Sequence, residues 1–199
     1  MDILLGLGNG TNQFRYPYGM IRDQPSGTLY VSDDLNHRVM RYAESVNAGV
    51  LVAGGNGQGN GTNQLTNPIA IYFDLLSNSL IIANTGAHNI VRWRIGESNW
   101  TLIAGNLNAL SGNSPSSFSF PYGLTVDPMG NLYVADTGNR RVQFFSTQQT
   151  QGRTVAGVTG VFGSTATLLQ SPMSVALDNQ LNIYVADDAS HRVQKFMRY

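Results

Sequence analysis

The sequence predicts an all-β protein in which four copies of one module stand side by side as the blades of a β-propeller. Three observations predict this fold: a fourfold internal repeat, short strands separated by turn-forming residues, and the lack of any window with sustained helical spacing. The composition agrees, because 42% hydrophobic residues and a formal net charge of zero are typical of a globular domain. A chain with no cysteine also excludes disulfide frameworks and thiolate zinc sites.

The repeat is marked first by proline and aspartate. Four prolines are spaced by 51, 53 and 51 residues, and an aspartate follows each of them six residues later. These residues are Pro17, Pro68, Pro121 and Pro172, with Asp23, Asp74, Asp127 and Asp178. A second shared segment follows, as in Tyr133-Val134-Ala135-Asp136, and five residues after its last position comes an arginine or asparagine. The modules are therefore in register along the whole chain.

Each module contains β-branched or aromatic runs separated by Asp, Asn, Gly, Pro or Ser, which predicts four antiparallel strands. Such a small sheet cannot bury both faces alone, so the modules must stack, and radial stacking shortens the exposed edges. Small residues two positions after each proline fit a crowded innermost strand: Gly19, Ala70, Gly123 and Ser174. We predict one domain over residues 1–199, with blades at 13–54, 64–105, 117–157 and 169–199, the last completed by residues 3–8.

Closure of the ring is predicted from the two ends of the sequence. The fourth module stops after its third strand, and the run Ile3 to Gly8 aligns with the outermost strand of the first module, Leu51 to Gly55. We expect residues 3–7 to pair with residues 193–197 and close the ring. The alternative is an open arc of a larger propeller, which would leave apolar faces exposed on both end blades.

The repeated segments resemble those of the NHL-repeat family of propellers. The third module carries the family pattern as Pro121-Tyr122-Gly123-Leu124, Asp127, Tyr133-Val134-Ala135-Asp136 and Asn139-Arg140-Arg141-Val142. The resemblance covers nearly the whole chain and implies a propeller, although members of the family mostly use six blades. It also implies a scaffold role, since such propellers often serve as recognition parts of multidomain proteins, including RING-type ubiquitin ligases. Some members bind RNA.

Recurring polar pairs are interpreted as structural. Aspartate is followed five residues later by arginine in three modules, and both members become asparagine in the second. The pairs are Asp33 with Arg38, Asp136 with Arg141 and Asp187 with Arg192, against Asn84 with Asn89. Joint loss of both charges is what a buried pair predicts, because either charge left alone would be costly. The aspartates six residues after each proline are expected to form turns.

No catalytic residue and no metal ligand are predicted. His37, His88 and His191 occupy the same repeat position, so they should be spread around the ring instead of converging on one ion. Some propellers that are similar to the NHL-repeat family, the amidating lyases, bind zinc through histidines in the channel. The histidines of this sequence lie at turn positions in the blades, so the sequence matches that enzyme poorly. The few carboxylates left after the pairs and turns are assigned do not suggest a pair of catalytic acids. We expect no cofactor.

Binding is predicted on the face that carries the loops between blades. These loops vary in length and sequence while the blades stay alike, and variable loops on a rigid scaffold are the usual place for recognition. The residues around each proline should surround the channel mouth. Aromatic and arginine side chains are favoured contact residues, so the predicted binding residues are Arg15, Tyr16, Tyr18, Phe120 and Tyr122. For Tyr18 and Tyr122, packing between blades is the alternative.

The predicted function is a non-catalytic recognition module for a protein or peptide partner. One alternative is a metal-dependent propeller enzyme of the lactonase or amidating-lyase kind, and another is an RNA-binding NHL module. Nucleic acid is disfavoured because the chain has a single lysine and no basic excess. No apolar stretch approaches the roughly 20 residues that span a bilayer. The sequence leaves the cellular compartment open.

Overall fold

The computed structural model describes residues 7–44, 46 and 48–198. In this part of the chain, 15 strands form four antiparallel sheets, and the sheets are the blades of a four-blade β-propeller. The predicted all-β fold class is confirmed. None of the helices within the described ranges has the length and apolar character needed to cross a membrane.

Strand order within each blade follows the chain, so consecutive strands are hydrogen-bonded neighbours. Blade 1 contains β1 (Pro17–Arg22), β2 (Leu29–Asp33), β3 (Arg38–Tyr42) and β4 (Val50–Gly54). Blade 2 contains β5 (Pro68–Asp74), β6 (Ser79–Asn84), β7 (Asn89–Arg94) and β8 (Trp100–Gly105). Blade 3 contains β9 (Pro121–Val126), β10 (Leu132–Asp136), β11 (Arg141–Phe145) and β12 (Arg153–Gly157). Blade 4 contains β13 (Pro172–Leu177), β14 (Ile183–Asp187) and β15 (Arg192–Phe196).

A three-residue 3-10 turn connects the second strand to the third in every blade. The turns are Asp34–Asn36, Thr85–Ala87, Thr137–Asn139 and Asp188–Ser190. The residue after each turn has a left-handed backbone, as at His37, where φ is 52°. These turns lie beside the loops that lead into the first strands, because the amide of Asp34 donates to the carbonyl of Tyr16. Turns and loops therefore share one face of the propeller, as predicted.

The innermost strands β1, β5, β9 and β13 pack side by side in that order. Small residues permit the close approach that the sequence predicted. A Cβ on Gly123 would lie 2.7 Å from the carbonyl oxygen of Met173 and 2.7 Å from the Cα of Ser174. A Cβ on Gly19 would collide with the carbonyl oxygen of Ile69. Larger side chains at these positions would push neighbouring blades apart.

The hydrophobic core lies between blades, in one cluster for each junction. The valine or isoleucine at the second position of each third strand is fully buried in the first three blades, at Val39, Ile90 and Val142. Apolar residues from the loops complete these clusters. Leu65, Phe118 and Leu169 each lie three residues before a blade proline and are fully buried.

The aspartates after the innermost strands form turns, as predicted. Asp127 Oδ1 accepts the amides of Met129 at 3.0 Å and Asn131 at 2.9 Å. Asp178 makes the equivalent bonds with Gln180 and Asn182. A carboxylate that satisfies two turn amides explains these residues without a catalytic role.

The predicted closure falls mainly on residues 1–6, which lie outside the described residues. Leu7 is described, and it forms a bridge with Phe14 instead of the predicted pairing with β15. The sharp turn that follows Leu7 explains this partner, because the amide of Gly8 donates to the carbonyl of Phe14. Within the described ranges, blade 4 has three strands, and β13 makes no contact with β1 comparable to those between neighbouring blades.

Candidate recognition surface

The residue before the blade proline has an unusual backbone in three of the four blades. Its φ is 58° at Tyr16, 51° at Asn67 and 48° at Phe120. Positive φ is uncommon for residues other than glycine, and it persists only where surrounding contacts hold it. The aromatic side chains of two of these residues are exposed, Tyr16 at 62% and Phe120 at 50%.

In blades 1 to 3, the last residue of the second strand helps to fix the left-handed residue. Its side chain accepts the backbone amide of the residue that precedes the left-handed one. Asp33 Oδ1 accepts the amide of Arg15 at 2.7 Å. In blade 2 an asparagine makes the equivalent hydrogen bond, since Asn84 Oδ1 accepts the amide of Thr66 at 2.6 Å. The conserved geometry across blades shows that the loop ends are fixed by side-chain acceptors in the sheet.

The predicted polar pairs form in all four blades. Arginine Nε lies 2.7 Å from the carboxylate in Asp33–Arg38 and 2.8 Å away in Asp136–Arg141, while the distance in Asp187–Arg192 is 3.2 Å. In blade 2 Asn84 Nδ2 donates to Asn89 Oδ1 at 3.1 Å. The first two carboxylates and their arginines are buried, so the structural interpretation is confirmed.

The arginines also hold the loops, which the sequence did not predict. The two terminal nitrogens of Arg141 donate to the carbonyls of Asn113 at 2.9 Å, Ser114 at 2.9 Å and Ser117 at 3.0 Å. Arg38 donates in the same way to three carbonyls of the loop before blade 1, those of Asn9, Gly10 and Gln13. One arginine side chain thus joins a buried carboxylate to several carbonyls of the loop that precedes its blade.

The loop before blade 2 is held differently because no arginine is available there. Trp100, at the start of β8, donates its indole Nε1 to the carbonyl of Gln64 at 2.8 Å and its backbone amide to the carbonyl of Thr62 at 2.8 Å. The loop also bonds internally, since Asn56 Nδ2 donates to the carbonyl of Asn63 at 2.8 Å. Hydrogen bonds between neutral groups therefore hold this loop, without an arginine.

Two histidines link neighbouring blades. His37 Nδ1 accepts the amide of Asn67 at 3.2 Å, and His88 Nδ1 accepts the amide of Phe120 at 3.1 Å. The His88 ring also lies edge-on against the Phe120 ring, with centroids 4.5 Å apart. Both histidines thus support the left-handed residue of the next blade. This is a structural role, in agreement with the interpretation from the sequence.

Charges from blade 1 act on Tyr122 of blade 3. Burial raises the pKa of Tyr122, and the charges of Tyr18 and Asp34 raise that pKa further. These groups are therefore within electrostatic range of one another although they come from different blades. Tyr18 is exposed, whereas Tyr122 is half-buried. Arg15 is exposed as well.

Comparison with known proteins agrees with this geometry. A family model described as "NHL repeat" matches residues 118–145 and 169–196, which contain the first three strands of blades 3 and 4. The chain therefore contains NHL repeats. NHL repeat-containing protein 3 from Mus musculus is 32% identical over 57% of this chain and 33% of its own length. Protein SUPPRESSOR OF QUENCHING 1, chloroplastic, from Arabidopsis thaliana is 28% identical over 92% of this chain and 20% of its own length. This NHL propeller therefore spans a third or less of these relatives.

Solved structures share the fold of this NHL propeller. A protein of unknown function from Bacteroides thetaiotaomicron has a TM-score of 0.74 at 15% identity, over 91% of this chain and 47% of its own. A putative gluconolactonase gives 0.69 at 13% identity, over 94% of this chain and 60% of its own. A streptogramin B lyase gives 0.62 at 8% identity, over 92% and 51%. At such identities the likeness shows the fold alone.

The histidines of the NHL propeller lie in separate blades. No group of three or more histidine, cysteine, aspartate or glutamate side chains within the described ranges is arranged to hold a metal ion. His37 and His88 use Nδ1 as hydrogen-bond acceptors toward the next blade.

A cavity of 210 Å³ lies away from the predicted binding residues, between blades 3 and 4 at the opposite ends of their first strands. Its lining includes Asp127, Arg153 and Arg198, and the Arg153 guanidinium lies 4.9 Å above the ring of Phe144. The sequence did not indicate this groove, because its residues come from different blades and share no motif. None of the predicted binding residues lines it.

We expect His88 to titrate below the ordinary histidine pKa of 6.5, because its burial disfavours the charged form. Only the neutral ring accepts from Phe120, so this bond stabilises the fold above the ordinary pKa and is lost as the pH falls through the lower value of the folded state. The amide shift of Phe120 in a ¹⁵N NMR titration should follow the same midpoint.

His88→Asn is the control for this titration. The variant removes the titrating ring, so the shift of the Phe120 amide should no longer change over that pH range. A midpoint at or above the ordinary histidine value in the unsubstituted protein would contradict the assignment of neutral His88 as the acceptor.

Proposed function

We propose that this NHL propeller is a non-catalytic recognition module that binds a protein or peptide partner on its loop-rich face. The observation that carries the proposal is the exposure of Tyr16 and Phe120 on a left-handed backbone that the blades hold in place. The binding surface consists of Arg15, Tyr16, Tyr18, Phe120 and Tyr122.

Pre-organisation supports this assignment. A flexible loop must lose conformational freedom when it binds, and this loss weakens affinity. Here the loop ends are bonded to Asp33, Asn84 and Asp136, so little further ordering is needed. Rigid aromatic and arginine side chains contribute a large share of the free energy in protein interfaces. The surface therefore has the residue types and the rigidity of a recognition site.

Several features favour a protein or peptide over nucleic acid as the partner. The chain carries 12 basic and 12 acidic residues, so it lacks the excess positive charge that binds phosphate backbones. Arg38 and Arg141 are buried in ion pairs and are not available to a ligand. We also propose that the propeller is the recognition part of a larger assembly, such as a multidomain ubiquitin ligase. This part of the proposal rests on the resemblance to the NHL-repeat family.

The binding surface is tested with peptides selected on the protein from a random display library. We expect Tyr16→Ala combined with Phe120→Ala to weaken binding of a selected peptide at least about tenfold, because aromatic anchors each contribute on the order of 1–2 kcal/mol. The melting temperature should change little, since both side chains are exposed. Affinity is measured by calorimetry or fluorescence polarisation.

Leu76→Ala is the matched control, because Leu76 is fully exposed in the turn after β5. This turn lies at the opposite end of β5 from Pro68 and the loop that precedes it. This variant should bind as well as the unsubstituted protein. Equal affinity of the double variant, or an equal loss in the control, would refute the assigned surface.

The second candidate function is a metal-dependent enzyme, which the fold likeness to a putative gluconolactonase and a streptogramin B lyase brings into consideration. Metal analysis of the dialysed protein and assays with a panel of lactones separate the two candidates. We expect no stoichiometric ion and no turnover. A tightly held ion accompanied by lactone hydrolysis would overturn the non-catalytic assignment.

A further inference from the structure

One buried carboxylate on the loop-rich face has no cation beside it. Asp34 begins the turn after β2 and is only 8% exposed. The other buried aspartates of the described residues either pair with an arginine or belong to the turns after the innermost strands. The paired ones are Asp33, Asp136 and Asp187, and the turn residues are Asp23 and Asp127. A buried carboxylate without a cation is costly to the fold.

The surroundings of Asp34 satisfy only one of its two oxygens. Asp34 Oδ1 accepts Nδ2 of Asn67 at 2.7 Å. Oδ2 has no donor within the described part of the chain, and it keeps contact with solvent, because the buried polar side-chain atoms without a partner there belong to two glutamines. The neighbouring His37 does not supply a positive charge at neutral pH, since burial lowers its pKa. One oxygen of this carboxylate is therefore open to a ligand.

The position of Asp34 is occupied by threonine in blades 2 and 3. Thr85 Oγ1 donates to the carbonyl of Pro121 in the next blade at 2.6 Å. Thr137 Oγ1 donates to the carbonyl of Pro172 at 2.5 Å. An ionised carboxylate has no proton to donate, so Asp34 cannot make this bond between blades. Burial also raises its pKa, because the charged form loses solvent. Blade 1 thus departs from the structural pattern at a cost in stability.

Aromatic residues lie near this carboxylate. The charges of Asp34 and Tyr18 raise the pKa of Tyr122, so the three groups are within electrostatic range of one another. Neither tyrosine hydroxyl has a hydrogen-bond partner among the described residues. The ring of Phe120 is exposed two residues before Tyr122. Hydroxyl and carboxylate oxygens accept hydrogen bonds from a cation, and aromatic rings attract cations to their faces.

We propose that this part of the binding surface takes a positively charged side chain, lysine or arginine, of the protein or peptide partner. The inference rests on the proposed function and specifies the chemistry of the partner. Asp34 Oδ2 accepts an N–H of the cation, and the hydroxyl of Tyr122 accepts another. The bound cation neutralises the charge that the fold leaves unpaired, and the aromatic rings shield it from water.

Arg15 also lies on the binding surface, but its charge does not favour an acidic partner to the same degree. Arg15 is exposed, so water solvates its guanidinium without any partner. The carboxylate of Asp34 is buried and lacks that solvation. A buried charge gains more from a charged partner than an exposed one does, because the surrounding medium screens it less.

The inference is tested with a random peptide display library selected on the immobilised protein. We expect lysine or arginine to be enriched at one position of the selected peptides, and selection on Asp34→Asn should show no such enrichment. Asparagine keeps the oxygen that accepts from Asn67, so the variant retains this bond. Asp188→Asn is the matched control, because Asp188 has the same repeat position in blade 4 and is exposed.

A selected peptide is then synthesised in two forms, one with the basic residue and one with glutamine in its place. Calorimetry on the unsubstituted protein should show that the basic form binds at least about tenfold more tightly. The two forms should bind Asp34→Asn with affinities within about twofold of each other, because the variant lacks the charge. Asp188→Asn should retain the tenfold preference. Melting temperatures show that each variant is folded.

Other outcomes would overturn the inference. Equal affinity of the two peptide forms for the unsubstituted protein would show that no cation is recognised, while Tyr16→Ala with Phe120→Ala would still report whether the surface binds peptides. Enrichment of acidic residues would assign the charge recognition to Arg15. Loss of the preference in Asp188→Asn as well would show a general effect of charge. Failure to enrich any peptide would contradict the recognition function itself.

Discussion

Replacing Arg141 by alanine is expected to lower the free energy of unfolding by about 3–5 kcal/mol, because it leaves a buried carboxylate without its cation. Asp136 is fully buried, and Arg141 is its only charged partner within the described residues. The substitution also removes the donors that hold three loop carbonyls. Urea denaturation followed by circular dichroism measures the loss.

The double variant Asp136→Asn with Arg141→Asn is the control. It reproduces the pair of asparagines that blade 2 carries naturally at Asn84 and Asn89, so it removes both charges together. We expect a loss of no more than about 2 kcal/mol, which reflects the missing loop contacts. Equal or larger destabilisation of the double variant would contradict the view that the unpaired charge is the main cost.

The effect of Arg141→Ala should also depend on pH. Burial raises the pKa of Asp136, while the Ser119 amide, Asn139 and Arg141 oppose that rise. Without the arginine this pKa rises further, and the folded protein takes up a proton more readily than the unfolded chain. The difference in stability between the variant and the unsubstituted protein should therefore be smaller at about pH 5 than at about pH 8.

Replacing Phe118 by alanine is expected to lower the free energy of unfolding by about 3–5 kcal/mol, the range for a large aromatic side chain lost from a core. Phe118 belongs to the loop before blade 3, yet it is fully buried in the cluster between blades 2 and 3. Its ring lies 5.5 Å from that of Phe145. Thermal or urea unfolding gives the change directly.

Leu110→Ala is the matched control from the same loop, because Leu110 is exposed. It should change stability by no more than about 0.5 kcal/mol. A comparable loss in both variants would mean that the loop as a whole matters, and not the anchoring of Phe118 in the core.

Four apolar loop residues occupy a repeated position in the sequence, but the sequence alone did not show that they pack into the core. Phe14, Leu65, Phe118 and Leu169 each precede a blade proline by three residues. This spacing was available in the sequence. Because the loops vary so much elsewhere, an apolar loop residue indicates a buried anchor only once the neighbouring blade is placed beside it.

The blades and their polar pairs were predictable because they depend on residues near one another in the sequence. The aspartate and arginine of each pair are five positions apart across one turn, as at Asp136 and Arg141, and each strand is bounded by turn-forming residues. Local spacing also identified the turn aspartates, such as Asp127. The predicted binding residues follow from the same repeat, and the structure adds the left-handed backbone of Tyr16 and Phe120 and the exposure of both.

Other features required the tertiary structure because they join residues that are far apart in the sequence. The reach of Arg141 to Ser114, the acceptance of the Phe120 amide by His88 and the groove beside Arg153 span distant parts of the chain. Val142 and Val193 show the division most directly, since the same residue in the same motif is buried in blade 3 and exposed in blade 4. The sequence by itself determined the blade, because a blade is built from local pairing. Only the tertiary structure decided which blade faces are covered, because burial depends on whether a neighbouring sheet lies against them.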